Sequence, residues 1–321
     1  MDEFSFIEKY LAPLTFGNPE ALSLKDDAAI FSPKSGYDIV ITKDAIAEGT
    51  HFFKNDDPYK LAKKLLRVNL SDLAAKGAIP YCCFLALILP ENTPEEWLEQ
   101  FAAGLKDDLS GFSCFLAGGD TTAHNGGVVL TLTALGHVTA GKALLRSGAR
   151  AGDGVFVTGT IGDSYLGLQL IKNQELKTIE ESRGSDSYLI SRYHVPQPRI
   201  SVGTKLSGVA TSCTDISDGL LADLENICNC SQVGAEIMLD KVPLSISLAE
   251  ADAIKAITGG DDYELLFTAP ENMERNINDI SEKTGIKITK IGKITGDNAV
   301  TLLNKNGEII PVFRSGYRHK I

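Results

Sequence analysis

Acidic side chains flanked by glycine, serine or threonine recur along the chain, and they are the residues best placed to do chemistry. They occur in Lys25-Asp26-Asp27, Thr42-Lys43-Asp44, Asn69-Leu70-Ser71-Asp72, Gly118-Gly119-Asp120-Thr121-Thr122, Thr214-Asp215-Ile216-Ser217-Asp218-Gly219 and Gly259-Gly260-Asp261-Asp262. Carboxylate oxygens are hard ligands that suit Mg²⁺, and backbone N–H groups beside glycine can approach phosphate oxygens, so the pattern suits magnesium and a polyphosphate. Taken singly, each segment also reads as an ordinary turn. Asp72 departs furthest from that reading. It falls in the last turn of an expected helix, where the carbonyl end disfavours an acid and a bound cation reverses the sign. Asp44 is expected to close an apolar strand, and Asp120 to follow the strand Ser113 to Leu116 directly. Asp215 and Asp218 bracket Ser217 before a helix beginning near Gly219, whose unpaired N–H groups would face an anion, although Ser217 or Asp218 would equally serve as its N-cap.

Two basic residues could join such a site. His51, in Glu48 to Phe52, is either a phosphate contact or an exposed loop histidine, and Arg146 is either a bidentate phosphate clamp or a surface ion-pair partner. Gly136 to Ala143 (GHVTAGKA) nearly matches the phosphate loop G-x-x-x-x-G-K-S/T, but Ala143 lacks the hydroxyl that ligates magnesium, so a turn is the better reading. The histidines His51, His124, His137, His194 and His319 are scattered without metal-ligand spacing, and no H-E-x-x-H or G-x-S-x-G is present. The cysteines Cys82, Cys83, Cys114, Cys213, Cys228 and Cys230 form no paired C-x-x-C modules. Zinc and serine hydrolases therefore lose support.

These residues need elements to hold them. Asp38 to Thr42 reads as a buried strand, and Asp57 to Gly77 as a helix with Asp57 as N-cap, Pro58 at its first position and Gly77 as its stop. Strands are expected at Cys82 to Leu89, Ser113 to Leu116 and Gly127 to Leu135, and a second helix opens at Thr93 with Trp97, Phe101, Leu105 and Leu109 along one face. The polar stretch Ser147 to Asp153 marks a domain boundary, giving domains 1-148 and 149-321. The second half restarts with a strand at Val155 to Thr158. Helices are expected near Ser164 to Ile171, Ser187 to Tyr193, Gly219 to Cys228 and Asn272 to Lys283, and strands at Ala235 to Leu239, Tyr263 to Phe267 and Ile286 to Ile291, with a closing hairpin at Asn304 to Gly307. This order suits an α/β protein of α+β type, with mixed sheets and helices on one face, better than an all-parallel sheet.

Composition bounds the function. The 31 Lys and Arg against 42 Asp and Glu leave a net charge of −11 with no basic tract, which argues against nucleic acid and anionic lipid as partners. No span approaches the length of a transmembrane helix, and the amino terminus lacks a secretory signal, so a reduced, cytoplasmic protein is expected.

In order and spacing, the segments Asn69 to Ala78 (NLSDLAAKGA), Ala117 to Thr122 (AGGDTT), Asp215 to Leu220 (DISDGL), Gly259 to Leu265 (GGDDYEL) and Ser315 to Tyr317 (SGY) resemble the thiamine-monophosphate kinase family. It is a branch of the larger family that includes aminoimidazole ribonucleotide synthetase and selenophosphate synthetase, and the likeness runs over nearly the whole chain. The resemblance implies transfer of the γ-phosphoryl of ATP to thiamine monophosphate with several Mg²⁺ ions. It also implies two domains flanking an active-site cleft, and a homodimer formed through the amino-terminal sheet. By position it assigns Asp27, Thr42, Lys43, Asp44, Asp72, Asp120, Asp215 and Asp218 to the metals. Gly119, Asp120, Arg146 and Ser217 fall to the nucleotide, and His51, Asp261 and Tyr317 to the thiamine phosphate. The chain departs from the family pattern with Lys25 for Gly, Lys43 for Thr and Asp261 for Glu. A related ATP-dependent synthetase and a non-catalytic nucleotide-binding relative are the competing readings; against a selenide enzyme, the first cysteine is Cys82.

Overall fold

The computed structural model of the chain describes residues 3–32, 34–174, 184–246 and 248–317, so His319 lies outside the described residues. The chain divides into two compact units, Met1–Leu73 with Ala78–Gly141, and Ala74–Gly77 with Lys142–Ile321.

In the first unit, α1 (Glu3–Phe6) and a run of short turns precede β1 (Tyr37–Ala47), α2 (Pro58–Ala75), β2 (Ile79–Pro90), α3 (Glu95–Gly111), β3 (Phe115–His124) and β4 (Val129–Thr139). The strands form one mixed sheet in the order β1-β4-β2-β3, antiparallel except between β2 and β3. Strand side chains alternate between faces. Thr42, Asp44 and Ile46 therefore share the inner face with the buried Cys83, Leu85 and Leu87, while Ile39, Ile41 and Lys43 occupy the outer face. β1 was expected to be buried, but Ile39 and Ile41 are 45% and 64% exposed.

Helices α2 and α3 touch closely. A Cβ on Gly104 would lie 2.1 Å from the Tyr59 carbonyl oxygen. Nearby, the Arg67 guanidinium binds buried Asp108 through Nε at 2.5 Å and Nη2 at 2.9 Å.

The second unit runs β5 (Gly154–Thr158), α4 (Asp163–Gln174), α5 (Gly184–His194), α6 (Ile200–Gly203), β6 (Ser212–Asp215), α7 (Leu220–Ser231), β7 (Gly234–Met238), α8 (Glu250–Ile257), β8 (Leu265–Ala269), α9 (Glu274–Thr284), β9 (Ile288–Thr295) and β10 (Val300–Leu303). Its sheet has the order β10-β7-β9-β5-β8-β6, antiparallel except between β10 and β7. Helices cover both faces here, which corrects the one-face expectation. Val155 and Val157 pack with Leu220 and Leu224 of α7 and Ile257 of α8, whereas Phe156 packs with Phe267, Val202 and Ile277 of α9. Continuous apolar strands such as β5 and β8 are the signature of burial on both sides. Compactness places the division at Gly141, ahead of the polar stretch from Ser147. The reason is that Leu144 and Ala149 are already buried in the two cores of the second unit.

Close helix contact at Gly104 gives a paired prediction. Gly104→Ala should cost about 1–3 kcal/mol through overpacking. Gly111→Ala, where a Cβ meets nothing within 4 Å, should be neutral or stabilise by about 0.5–1 kcal/mol. Equal melting temperatures for the two variants would contradict this packing.

Candidate functional site

The acids of the first unit gather in two places. On the inner sheet face, the Thr42 hydroxyl donates to Asp72 Oδ2 at 2.5 Å, joining β1 to the last turn of α2. Both ends of α2 are fixed. Asp57 caps it by accepting the Tyr59 N–H at 2.9 Å, and Gly77, at φ +69°, follows a terminus where the Ala78 N–H reaches the Leu73 carbonyl. Burial, and then the charge of Asp72, push the Asp44 carboxyl up to about 6. Two carboxylates that repel one another when ionised, with a hydroxyl beside them, fit a hard divalent cation, which would offset the repulsion. Among the described residues, no three His, Cys, Asp or Glu side chains form a group able to hold a metal ion.

The second group lies elsewhere. Asp26, Asp27, Gly119 and Asp120 line a cavity of about 750 Å³ together with Ile41, Phe84 and Leu135. Asp120 is not beyond a strand end, as expected, but inside β3, paired with Ala86. In the same way β1 continues past Asp44 to Ala47, because β4 pairs with it throughout. Lys43 is exposed on the outer face, so its ammonium does not join Asp44 and Asp72, and only its backbone remains available to a ligand there. Asp27 and Lys25 are exposed and follow Leu22, Ser23 and Leu24, which hold φ of 48°, 57° and 55°. Backbone strain of this kind concentrates at functional loops. His51 accepts the Ala47 N–H on Nδ1 at 3.1 Å, so its neutral ring carries the proton on Nε2. Gly136 to Ala143 forms the end of β4 and a turn, with the Gly141 N–H on Asp38 Oδ2 at 2.7 Å.

The candidates of the second unit converge on one loop. Asp215 ends β6 and is buried; Arg146 reaches the preceding residue, its Nε donating to Thr214 Oγ1 at 3.2 Å. The Asp261 N–H donates to the Ser217 carbonyl and the Tyr317 N–H to the Asp218 carbonyl, both at 2.8 Å. The N–H groups of this loop do not face outward to an external anion, as expected. Those of Ser217, Asp218 and Gly219 donate to Asp223 Oδ2 at 3.0, 3.0 and 3.2 Å. Burial and the Asp218 charge raise the Asp223 carboxyl to about 7 against the pull of those bonds.

Sequence reasoning missed three supports. Asp223 stood in plain view as an acid in the first turn of α7. Lys64, a lysine on the otherwise apolar face of α2, is 3% exposed and donates to the His51 carbonyl at 3.1 Å. Glu264, 0% exposed, accepts from Arg192, Arg199 and Thr158, while Arg192 also donates to the Asp262 carbonyl at 3.0 Å. These bonds brace the loop carrying Asp261 from behind. No spacing rule joins residues so far apart in the chain.

Residues 25–138 match the N-terminal domain, and residues 150–304 the C-terminal domain, of the AIR synthase related protein family. Within that class the chain belongs to the thiamine-monophosphate kinase family. It is 40% identical to thiamine-monophosphate kinase of Escherichia coli (strain K12) over 324 residues, 99% of this chain and 98% of that relative. Against the crystal structure of thiamine-monophosphate kinase from Stenotrophomonas maltophilia K279a it is 36% identical with a TM-score of 0.85, covering 97% of this chain and 98% of that one. Against AaThiL complexed with AMPPCP and TMP it is 29% identical with a TM-score of 0.78, covering 99% and 97%. Among the described residues, no helix is long and apolar enough to cross a membrane.

The paired carboxylates give a pH prediction. Asp44's folded value near 6 exceeds its ordinary value of about 3.9, so the folded state holds this proton more tightly. Its stabilising contribution is present below about pH 4 and lost as pH rises through about 6. In cation-free buffer, Asp44→Asn should therefore melt higher than the parent at pH 8 and nearly level with it at pH 4, and Mg²⁺ at pH 8 should narrow the gap. An equal difference at both pH values would contradict the assignment.

Proposed function

We propose that the chain transfers the γ-phosphoryl of ATP to the phosphate of thiamine monophosphate, giving thiamine diphosphate and ADP. The reading is carried by its near full-length likeness to thiamine-monophosphate kinases, one relative of which is complexed with AMPPCP and TMP. Thr42, Asp44 and Asp72 would hold magnesium on the inner sheet face; Asp27 and Asp120, beside the separate cavity, with Asp215, Asp218 and the backbone of Lys43, are the further metal candidates. Gly119, Asp120, Arg146 and Ser217 receive the nucleotide, and His51, Asp261 and Tyr317 the thiamine phosphate. Bound magnesium screens the repulsion between two meeting phosphates and orients donor and acceptor.

The protein's own groups orient the rest. The Thr42 bond fixes the Asp72 carboxylate, and the Ala47 N–H fixes His51 with Nε2–H as donor toward a phosphate oxygen. An acceptor phosphate is already ionised near neutral pH, so no general base is required. No protein nucleophile is required either. We read the cytoplasm as its compartment from its likeness to bacterial thiamine-monophosphate kinases, and a homodimer as its assembly because Tyr37, Ile39, Ile41 and Ile79 leave an apolar outer sheet face exposed.

Incubation with ATP, Mg²⁺ and thiamine monophosphate should yield thiamine diphosphate, and a folded protein that binds ATP without forming product would reject the reading. Asp72→Asn should cut turnover by about 100-fold or more while its melting temperature holds or rises, since it removes charge from a helix carboxyl end. For the assembly, Ile41→Lys should shift the sedimentation coefficient from dimer to monomer; an unchanged coefficient would place the interface elsewhere.

A further inference from the structure

The loop from Ile216 to Gly219 is the meeting point of the second unit's candidate residues, and its two hydrogen-bonding edges are used differently. Its carbonyl edge holds the residues assigned to the thiamine phosphate: Ser217 O accepts the Asp261 N–H and Asp218 O accepts the Tyr317 N–H. Its N–H edge is gathered by a single atom, Asp223 Oδ2, which accepts from three successive residues. Successive N–H groups curled round one oxygen form an anion-binding nest. Here the anion is built into the chain, supplied from the first turn of α7. Asp223 is 1% exposed, and its Oδ1 makes no hydrogen bond. The carboxylate is therefore spent on the loop, not on a ligand.

We propose that Asp223 is a positioning residue that sets nucleotide and thiamine-phosphate contacts together. This inference rests on the functional reading above for the identity of the two ligands. With the N–H edge pinned, the peptide planes at 217 and 218 have one orientation, and their carbonyls aim at Asp261 and Tyr317. Release of that edge lets the planes rotate. One change then disturbs Ser217 of the nucleotide set and Asp218 of the metal set, together with Asp261 and Tyr317 on the acceptor side. Two features leave little slack for compensation. A Cβ on Gly260 would lie 2.5 Å from Ser217 O, and one on Gly316 would lie 2.5 Å from Asp218 O, so both neighbouring chains already press against the loop.

The test compares Asp223→Ala, Asp223→Asn and Leu224→Ala in the full chain. Leu224, fully buried in the adjacent core, serves as a variant destabilised without losing the carboxylate. Calorimetric titration with AMPPCP plus Mg²⁺, and separately with thiamine monophosphate, should show Asp223→Ala weakening both by about 10-fold or more. Asp223→Asn, which keeps one acceptor oxygen but not the charge, should weaken both by about 3-fold, in keeping with the greater strength of charge-assisted bonds. Amide hydrogen exchange at Asp261 and Tyr317 should quicken in both Asp223 variants and not in Leu224→Ala. Where the alanine variant does not fold, the asparagine variant decides. Unchanged affinities and exchange in a folded Asp223 variant, or changes equal to those in Leu224→Ala, would overturn the proposal. A parent protein that binds AMPPCP but not thiamine monophosphate would overturn the substrate reading alone, and the nucleotide and exchange measurements would still decide the role of Asp223.

Discussion

Like charges held at short range are the constraint on which this molecule turns. Asp44 and Asp72 come together because β1 and α2 are each fixed independently, the strand by its full-length pairing to β4 and the helix by caps at both ends. Neither carboxylate can withdraw without breaking those elements. Burial first, and the Asp72 charge second, make Asp44 keep its proton well above the ordinary carboxylate range. A rigid frame that holds two acids together keeps an electrostatic cost in the folded state, and on the proposed reading a bound divalent cation would offset it.

The second unit solves the same problem with backbone. Asp223 is buried beside Asp218, and three N–H groups offset the repulsion. Across the loop, Gly260, Asp261 and Tyr263 adopt φ of 79°, 63° and 52°, a strained path for two non-glycine residues. The surroundings over-determine it. The Tyr263 N–H donates to the Ile216 carbonyl and the Ile216 N–H to the Glu264 carbonyl, while the Asp262 carboxyl accepts the Gly162 N–H at 2.9 Å. Strain persists here because releasing it would break several buried bonds at once.

Much of this was legible in the sequence where the signal is local. The caps of α2, the apolar period of α3 and the Asn304 to Gly307 turn follow from residues within a few positions of one another. Strand ends were less legible. Gly118 and Gly119 read as a terminus for β3, yet pairing with β2 carries the strand on to His124. The short strands β6 and β10 had no strong period of their own and exist through their neighbours, whereas α8 carries an amphipathic period, with Ala253, Ala256 and Ile257 buried along one face, that the sequence reading passed over. The candidate acids were visible as residue types beside glycine, but their grouping was not. Whether Lys43 faces Asp44 depends only on strand parity, which spacing gives once the strand is known; whether Asp223 fills the loop's N–H nest depends on a tertiary turn that spacing does not reveal.

The ion cluster behind the Asp261 loop explains how a strained, acid-rich segment stays in place. Glu264 has no exposure and receives two guanidinium groups, so its charge is compensated where water is absent. A buried ion pair adds little net stability relative to an apolar replacement, but removing one partner strands the other. Its value here is directional. Arg192 reaches both the Glu264 carboxylate and the Asp262 carbonyl with the same Nη2, so side chain and backbone of the loop are held by one rigid, planar group from α5. Lysine would supply the charge without that plane. The loop is thus gripped from the sheet side by Glu264 and from the helix side by Arg192, while at its tip the Tyr263 hydroxyl donates to Asp261 Oδ1 at 3.1 Å and ties the segment to itself.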